Sequence, residues 1–218
     1  MVFNNNIVNG SLHSVSKSQA LEYYYCVGQI RSQKNKVVCN IRWEKPPLGW
    51  CKLNIDGASF GNPGRVGGGR VIRDSEGRWL RGFARSIGFT TSIIAEFWAL
   101  RDGLLQAVQM GVQNLVIELD AKVVVELVQS YFPSNAFYSS LLADCRSLLG
   151  RFQRYKVQHA FKEANKVADA MAKLGCVMQD HFVFWDNPPS DVISAFVYSN
   201  TIGETVCRLA ASNLAILA

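Results

Sequence analysis

The chain has 218 residues, of which 49% are hydrophobic and 18% are charged, and its net charge is +6. This hydrophobic content supports a packed core and excludes a globally disordered chain, and the length favours one domain with extensions. No apolar run reaches the roughly 18 residues of a membrane helix, so we expect no membrane span. The modest excess of Lys and Arg suits a polyanionic partner without identifying one.

Residues 1–42 are predicted to be an N-terminal extension or linker. Their polar beginning lacks the basic start and the apolar centre of a secretory signal. The six cysteines include no CxxC pair, which argues against a zinc site and favours free thiols in a reducing compartment. We therefore expect an intracellular protein, in the nucleus or the cytoplasm.

Three segments with strand-like sequences follow one another through short turns. We place these strands at about 50–56, 68–73 and 79–87. Because the connections are short, the strands should be antiparallel neighbours. Asp56 ends the first strand and precedes a glycine-rich stretch that predicts a turn.

The hydrophobic period becomes helical after residue 91. Helices are predicted at about 92–110, 121–129, 139–152 and 165–174, and two further strands at about 114–120 and 155–161. A hairpin sheet followed by βα crossovers predicts an α/β fold with a mixed sheet and flanking helices. Residues 177–218 are less regular and are predicted to be a C-terminal tail, in which 191–199 forms a helix or a strand.

Four acidic residues occupy positions where an acid needs a physical reason. Asp56 and Asp120 end two strands of the predicted sheet. Glu96 lies within the first helix, and Asp169 lies one turn inside the last. Strand ends and covering helices can bring such carboxylates together, and divalent cations such as Mg²⁺ or Mn²⁺ would then relieve their repulsion. Two such ions can promote phosphodiester hydrolysis.

Ordinary structural explanations exist for three of these acids. Asp56 could form a turn, and Asp120 could cap the helix that follows it. Asp169 could be an exposed residue that pairs with Lys166 or Lys173.

Glu96 is harder to explain in this way, because its neighbours along the helix are apolar. They are Leu100, Gly103 and Ala107. Another row of the same helix is wholly polar and consists of Asp102, Gln106, Gln109 and Gln113. We therefore expect the polar face of the helix along that row and Glu96 toward the core.

Four segments, in this order, resemble type 1 ribonuclease H: LNIDGASFGNPGRVGGGRVIRD, AEFWALRDGL, VIELDAKVVVELV and HAFKEANKVADAMAKLG. More narrowly, they resemble the plant RNase H-like domains related to non-LTR retroelement reverse transcriptases. The resemblance places the domain at 43–176. It implies a ribonuclease H-like fold, with a five-stranded mixed sheet of order 3-2-1-4-5 and flanking helices.

The same resemblance implies a metal-dependent endonuclease that hydrolyses the RNA strand of RNA–DNA hybrids by a two-metal mechanism. The implied cofactor is Mg²⁺, for which Mn²⁺ can substitute, and a monomer is expected. The implied catalytic and metal-binding residues are Asp56, Glu96, Asp120 and Asp169. The alternative left open is a catalytically weak or inactive nucleic-acid-binding module derived from a retroelement.

Six further residues are implied to contact nucleic acid. They are Gly57, Ala58, Ser59, Asn62, Ser92 and Lys122. The backbone of the first three would approach RNA 2′-hydroxyls, which distinguish RNA from DNA. Asn62 could equally begin a turn, and Lys122 could equally be an exposed helix lysine.

The chain also departs from the family pattern. Ile93 and Ile94 stand where many members have Asn residues. Segment 161–165 lacks the histidine that some members carry before the last Asp, and His159 is expected to be structural.

Overall fold

The computed structural model describes residues 36–130, 137–201 and 204–209. The chain divides into a larger unit, 38–206, and a smaller one that combines 1–37 with 207–218. Most of the predicted N-terminal extension and the end of the predicted tail therefore lie outside the described residues. No helix among the described residues has the length and apolar character that a membrane span requires.

From residue 51 to residue 177, strands and helices follow one another in the predicted order. The strands are β1 (Lys36–Ile41), β2 (Cys51–Gly61), β3 (Gly64–Arg73), β4 (Trp79–Thr90), β5 (Asn114–Leu119), β6 (Arg154–His159), β7 (Phe182–Trp185) and β8 (Glu204–Leu209). The helices are α1 (Ser92–Gln109), α2 (Lys122–Gln129), α3 (Ser139–Leu149), α4 (Lys166–Val177) and α5 (Ser190–Thr201). A 3₁₀ turn, Lys162–Ala164, precedes α4.

The central sheet is mixed and has the order β6-β5-β2-β3-β4-β7, while β1 and β8 pair separately. β3 is antiparallel to both β2 and β4, whereas β5 is parallel to β2 and to β6. The predicted order 3-2-1-4-5 is thus confirmed as β4-β3-β2-β5-β6. The predicted count of five strands is wrong, because β7 pairs antiparallel with β4 as a sixth strand.

Aromatic packing explains why β7 joins the sheet. Phe83 of β4 is fully buried, and its ring stacks on Phe182 of β7 with 4.7 Å between centroids. Phe184 lies 5.6 Å from the same ring. Position 176 as the end of the domain stays a prediction, although β7 and α5 follow it in the same unit.

Most of the glycine-rich stretch forms strands, and the predicted turn is confined to residues 62–63. β2 continues beyond Asp56 to Gly61, and β3 begins at Gly64. A Cβ at Gly69 would lie 1.9 Å from the backbone nitrogen of Ala172, and a Cβ at Gly67 would lie 2.4 Å from that of Cys176. These glycines therefore let α4 pack directly on β3.

Helices cover both faces of the sheet. On one face, α1 buries Phe97, Leu100 and Leu104 against Leu53 and Ile55 of β2 in the main core. On the other face, α4 and α5 form a smaller core with β3 and β4. Its buried members are Val71, Ala84, Val167, Met171 and Val192. The site described next lies where β2 passes between these two layers.

Candidate metal centre

Three of the four predicted acidic residues converge beside β2. Asp56, Glu96 and Asp120 each contribute one carboxylate oxygen, and these oxygens all lie within 4.8 Å of one another. Asp56 and Glu96 are buried, whereas Asp120 is half-buried. Clustered carboxylate oxygens are the ligands that hard divalent cations prefer.

Strand register places Asp56 and Asp120 side by side. Ile55 of β2 pairs with Leu119 of the parallel strand β5, and each acid is the next residue of its chain. Asp56 lies inside β2, opposite Gly69, so it does not form the turn that its sequence context allowed. Asp120 is not the helix cap either, because α2 has Ala121 at that position and no side-chain capping bond.

Glu96 reaches the same point through a close helix–strand contact. A Cβ on Gly57 would lie 2.6 Å from the backbone nitrogen of Glu96, so only glycine at position 57 lets the start of α1 approach β2 this closely. The backbone N–H of Gly57 also donates a hydrogen bond to the Glu96 carboxylate. Gly57 therefore both positions Glu96 and partly stabilises its charge.

The electrostatics of this cluster are unfavourable without a cation. Burial, followed by the charges of Asp120 and Asp169, raises the pKa of Asp56 well above its ordinary value. Burial, followed by the charges of Asp56 and Asp120, likewise raises the pKa of Glu96. Among the described residues, Glu96 Oε2 is buried without a hydrogen-bond partner. This oxygen is therefore available to a metal ion, and the donor set fits one.

Asp169 lies near the cluster but outside the group of three. Its charge contributes to the raised pKa of Asp56. Its Oδ2 is 2.7 Å from Lys173 Nζ, and its Oδ1 is 3.4 Å from Lys162 Nζ. The ion pair between Asp169 and Lys173, which the sequence offered as the alternative to a metal-binding role, is therefore present. Asp169 is half-buried, with its side chain 16% exposed.

The start of α4 is fixed to β2 by a buried amide. Asn165 accepts a hydrogen bond from Asn54 at 3.2 Å and donates one to the carbonyl of Ile55 at 2.7 Å. Because the side chain of Asn165 is used in this way, it does not cap α4. These bonds hold the helix that carries Asp169 beside the strand that carries Asp56.

The residues predicted to contact nucleic acid line the second half of β2 and its turn. Gly57, Ala58 and Ser59 are half-buried strand residues, and the Ser59 hydroxyl donates to the carbonyl of Gly61. Asn62 Oδ1 accepts the backbone N–H of Ser92 at 3.2 Å. Asn62 in the turn and Ser92 at the first position of α1, both predicted to contact nucleic acid, are therefore in contact with each other.

Lys122 is an exposed helix lysine, which is the alternative to a phosphate contact. Its side chain is 66% exposed, and Nζ lies 3.6 Å from Glu126 on the same helix. His159, expected to be structural, ends β6 with Nε2 3.1 Å from the backbone oxygen of Asp120.

Lys162 is a residue that the sequence analysis missed. The charge of Asp169 is the largest cause that raises its pKa, and Asp56 and Asp120 contribute further. Its Nζ therefore supplies positive charge to the acidic cluster. The only signal in the sequence is a lysine in the short segment before α4, and such lysines are common on surfaces.

Comparisons with known proteins identify the family of the chain. Residues 54–175 match the protein family described as Reverse transcriptase-like. A candidate ribonuclease H protein of Arabidopsis thaliana is 33% identical over 165 residues, which are 76% of this chain and 26% of that protein. Ribonuclease HI of Halobacterium salinarum is 29% identical over 119 residues, covering 54% of this chain and 60% of that enzyme. The chain thus spans about a quarter of the Arabidopsis protein.

The chain is also similar to solved structures of ribonuclease H proteins. The N-terminal RNase H domain of Rv2228c from Mycobacterium tuberculosis has a TM-score of 0.56 and 27% identity, covering 58% of this chain and 93% of that one. LC11-RNase H1 in complex with an RNA/DNA hybrid has a TM-score of 0.54 and 25% identity, covering 58% and 96%. The chain therefore belongs to the Reverse transcriptase-like family, a family of ribonuclease H-like proteins.

Proposed function

We propose that this chain is a metal-dependent endonuclease of the RNase H type, which hydrolyses the RNA strand of RNA–DNA hybrids by a two-metal mechanism. Asp56, Glu96, Asp120 and Asp169 would hold Mg²⁺, or Mn²⁺ in its place. The observation that carries the proposal is the meeting of three carboxylates within 4.8 Å, two of them buried. The hybrid bound in the LC11-RNase H1 structure supports nucleic acid as the partner.

The chemistry of the donor set agrees with a hard cation. The cluster offers only carboxylate oxygens, and one of them, Glu96 Oε2, has no hydrogen-bond partner among the described residues. When bound, divalent cations supply the positive charge that activates a water and stabilises the leaving oxygen in phosphodiester hydrolysis.

The chain's own contribution is a rigid and partly dry setting. Asp56 is held by strand pairing on both sides, because β2 lies between β3 and β5. Gly57 lets the start of α1, and with it Glu96, lie close to β2. The backbone of Gly57, Ala58 and Ser59 continues from the acids along β2, where it would meet the RNA strand and its 2′-hydroxyls.

Asp169 would join the metal ligands at a small energetic cost. Its two ion-pair partners are exposed lysines, with side chains 67% exposed for Lys162 and 57% for Lys173. Ion pairs of this kind contribute about 0–1 kcal/mol each. A divalent cation beside three carboxylates offers a larger attraction, so the lysine pairs do not prevent Asp169 from binding metal.

A second candidate function is nucleic-acid binding with little or no catalysis. The observation that favours it is the position of Asp169 outside the group of three, with both of its oxygens beside lysines. Ile93 and Ile94 also replace polar residues of the family pattern ahead of Glu96.

Cleavage of an end-labelled RNA–DNA duplex in the presence of Mg²⁺ tests the first proposal against the second. Asp56→Asn should lower the cleavage rate by about 1,000-fold or more, since each tenfold corresponds to about 1.4 kcal/mol and the metal supplies several kcal/mol. Asp186→Asn, which changes an acid that is 73% exposed, is the matched control and should cleave like wild type.

Two results would change the assignment. Equal cleavage by wild type and Asp56→Asn would refute the acidic cluster as the active site. Hybrid binding without turnover in either Mg²⁺ or Mn²⁺ would favour the binding module. Single-stranded RNA and a DNA duplex serve as substrates that a hybrid-directed enzyme should leave intact.

A further inference from the structure

Two exposed phenylalanines flank an arginine at the far end of β2, β3 and β4. Phe60 is 57% exposed and Phe89 is 76% exposed. Phe60 pairs directly with Arg65, and Arg65 pairs directly with Phe89. Residues directly opposite each other on neighbouring strands project from the same face of a sheet. We call Phe60, Arg65 and Phe89 the aromatic tip.

The aromatic tip differs from the other aromatic residues of the sheet. Phe83 and Phe182 stack on each other within the structure. Neither Phe60 nor Phe89 has an aromatic or cationic ring partner among the described residues. Single exposed apolar residues are normal, but two such rings beside one cation form a continuous surface with a specific composition.

Spacing within the tip suits successive nucleotides. Neighbouring strands lie about 4.8 Å apart, so the two phenylalanines start from backbones about 10 Å apart, with Arg65 between them. In a nucleic-acid strand, a phosphate likewise lies between two successive bases. Aromatic rings stack on bases of any sequence, and a guanidinium binds phosphate.

The exposed charge of Arg65 favours a polyanion over a neutral protein partner. Four of the six arginines in residues 57–73 and 77–95 pair with Asp side chains, and a fifth, Arg73, is fully buried, which leaves Arg65 as the exposed cation of the tip. Arg65 itself is exposed, and its side chain makes no ion pair with any described residue. A phosphate backbone would supply the missing negative charge.

The tip also lies on the same strand as the metal centre. Phe60 is four residues beyond Asp56 in β2, which corresponds to about 13 Å at the rise of a strand. Asn62 and Ser92 lie in contact at the same end of the sheet. A nucleic acid that places a phosphodiester at the acids could therefore continue to the tip.

We propose that the aromatic tip is a stacking platform for unpaired nucleotides that extend from the hybrid. Phe60 and Phe89 stack on two bases, and Arg65 binds the phosphate between them. Unpaired nucleotides are required, because bases inside a duplex already stack on their neighbours. The proposal rests on the proposed function in one respect, namely that the hybrid reaches the acidic cluster.

The test measures binding by fluorescence anisotropy with the full 218-residue chain in EDTA, where the proposed enzyme does not cleave. A blunt RNA–DNA hybrid is compared with hybrids that carry a single-stranded extension at either end. Phe60→Leu and Phe89→Leu should each weaken binding of an extended hybrid by about 5- to 150-fold, which corresponds to about 1–3 kcal/mol for loss of one stacked base. Binding of the blunt hybrid should not change.

Matched variants separate stacking from general apolar contact. Phe60→Trp retains an aromatic face and should bind the extended hybrid like wild type. Tyr155→Leu removes a 49% exposed ring from β6, at the opposite edge of the sheet, and should have no effect. Arg65→Gln should lower the slope of log affinity against log salt by about 0.7, the value of one single-strand phosphate contact.

A fluorescent base gives an independent readout. With 2-aminopurine in the extension, wild type should quench the fluorescence and Phe60→Leu should not. Equal quenching and equal affinity for wild type and Phe60→Leu would overturn the platform, and so would equal losses on blunt and extended hybrids. If the platform results hold while Asp56→Asn still cleaves, the proposed catalytic site fails and the platform stands.

Discussion

Helix α1 buries two carboxylates, and their surroundings are opposite. Asp102 contacts three arginines, with distances of 3.2 Å to Arg70, 2.8 Å to Arg85 and 3.1 Å to Arg101. Glu96, six residues earlier on the same helix, faces Asp56 and Asp120, and one of its oxygens has no hydrogen-bond partner among the described residues. Both acids are equally buried, at 6% and 7% exposure.

Charged partners, rather than burial, distinguish these two acids. Asp102 balances Arg70, which is fully buried in β3 and whose pKa burial lowers. A buried charge that has opposite charges beside it is compensated by the protein's own residues. Glu96 has like charges beside it, so the protein itself leaves their repulsion uncompensated and a cation from outside would relieve it.

The largest expected difference between the two acids is catalytic. Glu96→Gln should lower cleavage of a hybrid by about 1,000-fold or more, because it removes a proposed metal ligand. Asp102→Asn, assayed below its unfolding temperature, should keep cleavage within about tenfold of wild type, because its partners are arginines of the fold. Single-turnover rates in Mg²⁺ provide the measurement. A comparable loss in both variants would remove the distinction between the acids.

The free energy of unfolding should respond in the opposite way, with a large loss for Asp102→Asn and none for Glu96→Gln. Asp102→Asn should lower the free energy of unfolding by about 3 kcal/mol, because it leaves buried Arg70 without its counter-ion. Glu96→Gln should not destabilise the metal-free protein. Urea unfolding in EDTA measures both variants. If Asp102→Asn were as stable as wild type, the arginine cluster would not be the structural counterpart that we describe.

Neutralising the acidic cluster should stabilise the protein when metal is absent. Asp56→Asn removes one of the mutually repelling charges, so in EDTA the variant should be more stable to unfolding than wild type. Addition of Mg²⁺ should then stabilise wild type more than the variant. Thermal unfolding with and without Mg²⁺ gives the comparison, with Asp186→Asn as the control. A variant less stable than wild type in EDTA would contradict the repulsion.

The smallest expected effect concerns Asp169. Lys173→Met removes one of its two lysine partners and should raise the affinity for Mg²⁺ a few-fold, in line with about 0.5 kcal/mol for an exposed ion pair. Lys122→Met, which changes another exposed helix lysine, is the matched control. Lower affinity in Lys173→Met would mean that the lysine orients Asp169 for metal rather than competing with it.

Much of the sheet could be predicted from the sequence because its signals are local. Alternation of side chains, short turns and one long helical period indicated β2 to β6 and α1 in the correct order. The sixth strand could not be predicted in this way, since β7 has only four residues. Its place depends on the contact between Phe182 and Phe83, which are far apart in the chain.

Two errors at the site have the same origin. Glycines after Asp56 predict a long turn by their local preference, but the turn is confined to residues 62–63. Gly57, Gly67 and Gly69 lie in strands, where they let helices approach the sheet. The polar row of α1 is predicted to be exposed, but Asp102 and Gln106 are buried. Gln109 is exposed, and so is Gln113, which lies beyond the end of α1. The burial of Asp102 depends on Arg70, which no spacing within α1 reveals.

The central claim is that Asp56, Glu96 and Asp120 form a cation site, and calorimetric titration of the metal-free protein with Mn²⁺ tests it most directly. Wild type and Asp186→Asn should bind Mn²⁺ with equal affinity, and Asp56→Asn should bind at least about tenfold more weakly, because one charged ligand is missing. Equal Mn²⁺ affinity in all three proteins would contradict the account.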